Sequence, residues 1–113
     1  MDKIRLSKIN QFIKEELGEI IFRELELPRD ILATITRVES SNNLSSAKVY
    51  ISVFPEEKYQ EVIEKLNKRI FQVQKKLNKK MEIRVVPRIK FVKEEGTEKA
   101  DKIEKILEEI KKN

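Results

Sequence analysis

Ten lysines and arginines stand between Lys65 and Lys90, against a single acid, Glu82. The rest of the chain does not share this bias. Residues 1–64 hold 9 basic and 12 acidic side chains, and residues 91–113 hold 6 and 7. The net charge of +5 therefore originates in one quarter of the length. A Lys/Glu surface that serves solubility mixes the two signs and forms i,i+4 pairs, as residues 97–112 do. A cationic run stripped of acids instead attracts phosphates through counterion release, without reading sequence. Nucleic-acid binding is the chemistry this pattern points to.

Other chemistries are closed off. The 113 residues include no cysteine and no histidine, which removes disulfides, thiolate nucleophiles, the commonest zinc ligands and the commonest general base. Glu15/Glu16 and Glu56/Glu57 are adjacent carboxylates, and neighbouring helix positions point in different directions, so they read as solvated surface. No Gly-rich phosphate loop occurs. No enzyme activity, cofactor or metal is expected. The start of the chain lacks the apolar core of a secretion signal, and no apolar run approaches a membrane span, so a cytoplasmic location is expected.

The elements that must position the cations follow from periodicity. Ile9, Phe12, Ile13, Leu17, Ile20, Ile21 and Leu25 keep helical spacing over residues 3–26, with Asp2 as N-cap and Pro28 as the stop. Gly18 within this helix reads as a close-packing point. Residues 32–39 and 46–53 read as strands joined by the turn Ser40-Ser41-Asn42-Asn43, where asparagine tolerates positive φ. Pro55 suits the first position of a helix, and the apolar spacing from Tyr59 to Leu77 predicts one long helix or two with little break. Residues 82–92 predict a third strand with Pro87 at a sheet edge, and a last helix opens after Gly96. The order α-β-β-α(α)-β-α requires a crossover from strand two to strand three, hence a parallel pair in a three-stranded mixed sheet with helices on one face.

This arrangement splits the cations in two. Lys65, Lys68, Arg69, Lys75, Lys76, Lys79 and Lys80 belong to the helical part. Lys48, Arg84, Arg88 and Lys90 belong to the solvated sheet face, with Tyr50 placed to stack on an unpaired base. Arg5, Lys8 and Arg29, on and after the first helix, complete the candidate RNA contacts. An adaptor that offers the same patch to an acidic protein, without touching RNA, is the alternative.

At the hairpin, Val38-Glu39-Ser40-Ser41-Asn42-Asn43-Leu44-Ser45-Ser46-Ala47-Lys48-Val49-Tyr50-Ile51-Ser52-Val53 resembles the bacterial ribosome-binding factor A family. The family pattern there is a hydrophobic strand, a Ser-x-Asp-Leu turn, then Ala-Lys-Val-Tyr-Val-Ser-Val. Leu27-Pro28-Arg29 is similar to its Asp-Pro-Arg element, and Arg84-Val85-Val86-Pro87-Arg88-Ile89-Lys90-Phe91 to its Arg-x-x-Pro-Glu-Leu-x-Phe strand. Arg5 and Ile9 match the start of its first helix. The resemblance implies a single type II KH-like domain over residues 1–113, of class α+β, acting as a monomer. It further implies binding to the small ribosomal subunit and its rRNA, a part in rRNA maturation often linked to growth in the cold, and no catalysis or small-molecule substrate. Departures fall at Asn43, Leu27, Arg88 and Glu94, which replace acidic residues of the pattern or exchange one for another, and at Gln74, which replaces an Arg. Arg69-Ile70-Phe71 stands where the family has Ala-x-Gly at a helix kink, and Phe adopts positive φ less cheaply than Gly.

Overall fold

The computed structural model describes residues 2–95. They form α1 (Lys3–Leu25), β1 (Leu32–Ser40), β2 (Ser46–Phe54), α2 (Tyr59–Lys68), α3 (Ile70–Lys80) and β3 (Arg88–Lys93). The helix predicted after Gly96 lies outside the described residues. The sheet order is β1-β2-β3, antiparallel for the first pair and parallel for the second, as the crossover requires. Strand residues Ile35, Val38, Ala47, Val49, Ile51, Ile89 and Phe91 share one core with Ile13, Leu17, Ile21, Val62, Leu66, Val73 and Leu77 of the helices. Each large aliphatic side chain buried there contributes roughly 1.5–3 kcal/mol, whereas an exposed ion pair contributes about 0–1 kcal/mol. The fold rests on this core, which leaves the surface charges available for other work.

The ends of α1 are set locally. The Asp2 carboxylate accepts the Ile4 N–H at 3.1 Å, the expected N-cap. The helix ends at Leu25, because Glu26 turns into the left-handed region at φ 44°. Pro28 lies beyond that stop. In the hairpin turn the left-handed residue is Leu44, at φ 57°, and not an asparagine. Ser41 and Asn43 hold it: the Ser41 hydroxyl accepts from the N–H of Ser45 and Ser46, and Asn43 Oδ1 accepts from Ser45 as well. The buried Leu44 side chain anchors the turn to the domain.

Two expectations change and one alternative is decided. Pro55 does not open a helix; it follows a cis peptide bond and precedes a single 3₁₀ turn, Glu56–Lys58, which leads into α2. Of one long helix or two with little break, the chain forms two. Arg69 leaves helical geometry at φ −106°, ψ 10°, so the break needs no positive φ and no glycine. The third strand shortens to six residues. Its ladder begins with Arg88 opposite Ser46, the first residue of β2, and residues 82–87 run past that end with nothing to pair with. Ile83 and Val85, which alternate in phase with the buried Ile89 and Phe91, are therefore exposed, while Pro87 is buried just ahead of the ladder.

Both sheet edges are closed by amides from helices. Asn10 Oδ1 of α1 accepts the Ser40 N–H at 3.0 Å on the β1 edge. On the β3 edge, Gln74 of α3 accepts the Ile89 N–H at 2.9 Å and donates to the Pro87 carbonyl at 3.1 Å. Unsatisfied, each of these half-buried groups would cost about 1–3 kcal/mol.

Gly18 is not a close-packing point. A Cβ placed there meets nothing within 4 Å, and the backbone is ordinary helix. Glycine in a helix interior costs roughly 0.5–1 kcal/mol relative to alanine. Gly18→Ala should therefore stabilise the domain by about that amount. A denaturant midpoint that fails to rise would show that the extra methyl group meets an obstacle absent from this packing.

Candidate nucleic-acid interface

The helical cations divide by partner. Glu24, near the end of α1 with a side chain only 11% exposed, receives Lys76 and also Arg69 at 3.4 Å. These two cations therefore tie α3 and the break before it to α1, and they are structural rather than available. The hydrogen bond from Lys76 chiefly, opposed by desolvation and supported by Arg69, holds the Glu24 carboxyl below its ordinary value. Among the described residues, Lys65, Lys68, Lys75, Lys79 and Lys80 form no ion pair. All five are exposed; Lys65, Lys68, Lys75 and Lys79 lie on the side of α2 and α3 away from Val62, Leu66, Val73 and Leu77, whereas Lys80 ends α3 on the side that faces α1. Phe71, 85% exposed, stands among them just past the break.

The outer sheet face presents a second group. Lys48 lies opposite Lys90, and Arg88 opposite Ser46. Like charges side by side on a ladder cost a few tenths of a kcal/mol to about 1 kcal/mol, a cost that a bound phosphate would relieve. Arg84 does not join them, because it sits on the unpaired stretch before β3. Tyr50 does not offer an open ring either. The Arg37 guanidinium lies 3.9 Å from its centroid, and its hydroxyl donates to Glu39 at 3.2 Å. Burial first, then the bond to Glu39, push the phenol above its ordinary value, so it stays a donor. Arg37 also pairs with Glu39 at 2.7 Å and Glu94 at 3.3 Å. This middle part of the sheet face thus sets one guanidinium against two carboxylates and offers no excess positive charge.

Arg37, Glu24 and Gln74 escape a reading from sequence. Arg37 reaches the outer face only because a bulge between Ile35 and Arg37 shifts the register, which flips the side-chain parity of the rest of β1. The available signal was the pair Ile35 and Val38: two core residues three apart require an extra residue in a strand. Of the remaining candidates, Arg5 and Lys8 meet Lys80 around one groove, while Arg29 stands after the opposite end of α1, beside Phe22 and Leu32.

Three helices on one side of a mixed β1-β2-β3 sheet, in the order α-β-β-α-α-β, are the architecture of a type II KH-like domain. No helix among the described residues is long and apolar enough to cross a membrane. A family model for ribosome-binding factor A matches residues 5–107. The ribosome-binding factor A of Staphylococcus epidermidis is 32% identical over 114 residues, covering 100% of this chain and 98% of that one. The crystal structure of ribosome-binding factor A from Thermus thermophilus superposes with a TM-score of 0.67 at 27% identity, over 78% of this chain and 93% of that one. Coordinates of the Thermus thermophilus factor fitted into a cryo-EM map of a 30S complex give 0.64 at 27% identity, over 77% and 92%. The chain belongs to the ribosome-binding factor A family.

The lowered Glu24 value has a consequence for stability. A carboxylate whose folded value is depressed stabilises the native state above its unfolded value, and that contribution is lost as pH falls through the lower folded value. Urea midpoints should therefore drop as the solution is acidified through and below the ordinary carboxylate value of 4.5. Glu24→Gln should be less stable at neutral pH and show a shallower acid limb. An identical acid limb in the variant would mean that Glu24 is not clamped between Lys76 and Arg69.

Proposed function

We propose that this protein is a non-catalytic assembly factor that binds the small ribosomal subunit through its rRNA and assists late rRNA maturation in the cytoplasm. The whole chain acts as one KH-like unit and as a monomer. The observation that carries the reading is the set of exposed lysines Lys68, Lys75, Lys79 and Lys80, which form no ion pair among the described residues. The Thermus thermophilus relative, whose coordinates were fitted into a 30S complex, lends further support. Binding would be dominated by phosphate contacts, since cations outnumber stacking groups on these faces. Lys48, Arg88 and Lys90 would supply a second contact, and Arg5, Lys8, Arg29 and Arg84 peripheral ones. Arg69 and Lys76 act indirectly, by holding α3 against α1. A role in growth at low temperature fits a factor that helps rRNA escape stable misfolded pairings.

The test separates structural from contacting lysines. Lys75→Glu, Lys79→Glu and Lys80→Glu combined should abolish co-sedimentation with small subunits while leaving the unfolding midpoint nearly unchanged. On an isolated rRNA fragment the log–log salt slope of the wild type should fall by roughly 0.7–0.9 for each phosphate contact removed. Lys76→Ala should lower stability instead. Undiminished co-sedimentation of the triple variant would remove this helical face from the interface. Survival of the complex after nuclease digestion would favour the adaptor reading.

A further inference from the structure

Phe12 departs from its helical stripe. Ile13, Leu17, Ile20, Ile21 and Leu25 are buried, yet Phe12 remains 39% exposed. It lines a groove of about 440 Å³ together with Ile9 of α1 and Met81 and Ile83, which follow α3. Ile83 is also open to solvent, at 37%. Residues 5, 8, 9 and 12 fall at i, i+3, i+4 and i+7, so one face of α1 supplies both apolar floor and charged rim. Arg5 and Lys8 form that rim on one side, and Lys80 forms it on the other.

The rim charges do not serve the fold. None of the three forms an ion pair among the described residues. Arg5 lies in the first turn of α1, where the helix dipole offers a cation no support and the Asp2 carboxylate is engaged with the Ile4 N–H. Three cations around an apolar floor match a group that is flat and apolar in the middle and anionic at its edges. The volume lies within the range of small-ligand sites, roughly 300–1,000 Å³. It is short for an amphipathic peptide helix, which needs anchors over two turns or more.

We propose that this groove takes one unpaired RNA base, packed against Phe12 and Ile83, with the flanking phosphates on Arg5, Lys8 and Lys80. The proposal rests on the RNA-binding reading above. Glu82, the one acid of the groove, can accept from an exocyclic amine, so a base that carries one is preferred over uracil. The site is separate from the Lys68–Lys75–Lys79 face and gives a phosphate-dominated binder its single-strand preference.

Titrating the full chain with a ten-nucleotide single-stranded adenine-rich RNA, a uridine-only strand and a duplex of equal length tests this. Phe12→Ala should weaken single-strand binding by about 5- to 100-fold, the usual worth of one stacked base, with salt slope and duplex affinity unchanged. Phe12→Leu preserves apolar packing and removes the aromatic face; it should weaken single-strand binding by a similar factor while matching the wild-type unfolding midpoint. Phe12→Tyr should restore it. Wild-type affinity in Phe12→Leu, or equal losses on strand and duplex, would overturn the proposal. So would an acidic amphipathic peptide whose binding falls in Phe12→Leu while RNA binding does not. If the wild type binds none of the three RNAs, the RNA-binding reading itself fails. If it binds them with a single-strand affinity that the Phe12 variants leave untouched, only the groove assignment fails.

Discussion

The break at Arg69 is the constraint on which the arrangement depends. Residues 59–80 as one straight helix would extend about 33 Å and would carry the chain away from the sheet edge it must rejoin. The break lets α2 pack Val62 and Leu66 into the core while α3 turns to meet α1. Glu24 fixes the turn from outside, receiving Arg69 at the break and Lys76 within α3. Gln74, between them in sequence, can then reach Pro87 and Ile89 and set the start of β3. Bend, clamp and strand attachment are one connected structure. The family pattern builds its kink with a glycine. Here Arg69 at negative φ does the same work, which leaves the position two residues on, the one the pattern gives to glycine, free for Phe71.

A count of positive charge on this protein overstates the surface offered to a partner. Arg69 and Lys76 belong to Glu24, Arg37 belongs to Glu39 and Glu94, and Lys93 belongs to Glu56. What remains is positional: lysines on the outer side of α2 and α3, a trio at the end of the sheet face, and a trio around the groove beside α1. Surface pairs of the first kind contribute little each, but they orient helices. Cations of the second kind form no ion pair among the described residues, and Lys48 stands between Glu39 on β1 and Lys90 on β3.

Much of this was legible in the residues. Apolar spacing located α1, both hairpin strands and the α2–α3 span, and the crossover dictated the parallel pair. What was not legible depended on partners distant in sequence. Residues 82–92 alternate like a strand, yet β2 offers no partner before Ser46, so only Arg88–Lys93 pairs. Arg84 accordingly left the sheet face. The parity of β1 turned on one bulge residue, so Arg37 and its cover over Tyr50 could not be read from alternation alone. Gly18 looked structural because glycine in a helix is costly, and the space around it is empty. The separation of Arg69 and Lys76 from the other cations required Glu24, more than forty residues earlier.

The covered ring of Tyr50 bears on how such a domain recognises RNA at all. A sheet that reads bases needs bare aromatic faces, and a KH domain that clamps a single strand needs a Gly-x-x-Gly loop. This chain has no such loop, and on its sheet face Tyr50 is covered by Arg37 while Phe54 stands exposed only at the far end of β2. Phosphate contacts alone would hold duplex and single strand with little distinction, because their strength follows charge density and not base identity. Any discrimination must come from exposed apolar groups that stand beside unpaired cations. On the helical side the aromatic ones include Phe71 at the break, Phe12 in the groove and Phe22 beside Arg29. The clamp at Glu24 that orients α3 against α1 also sets the distance between Phe71 on α3 and Phe12 on α1.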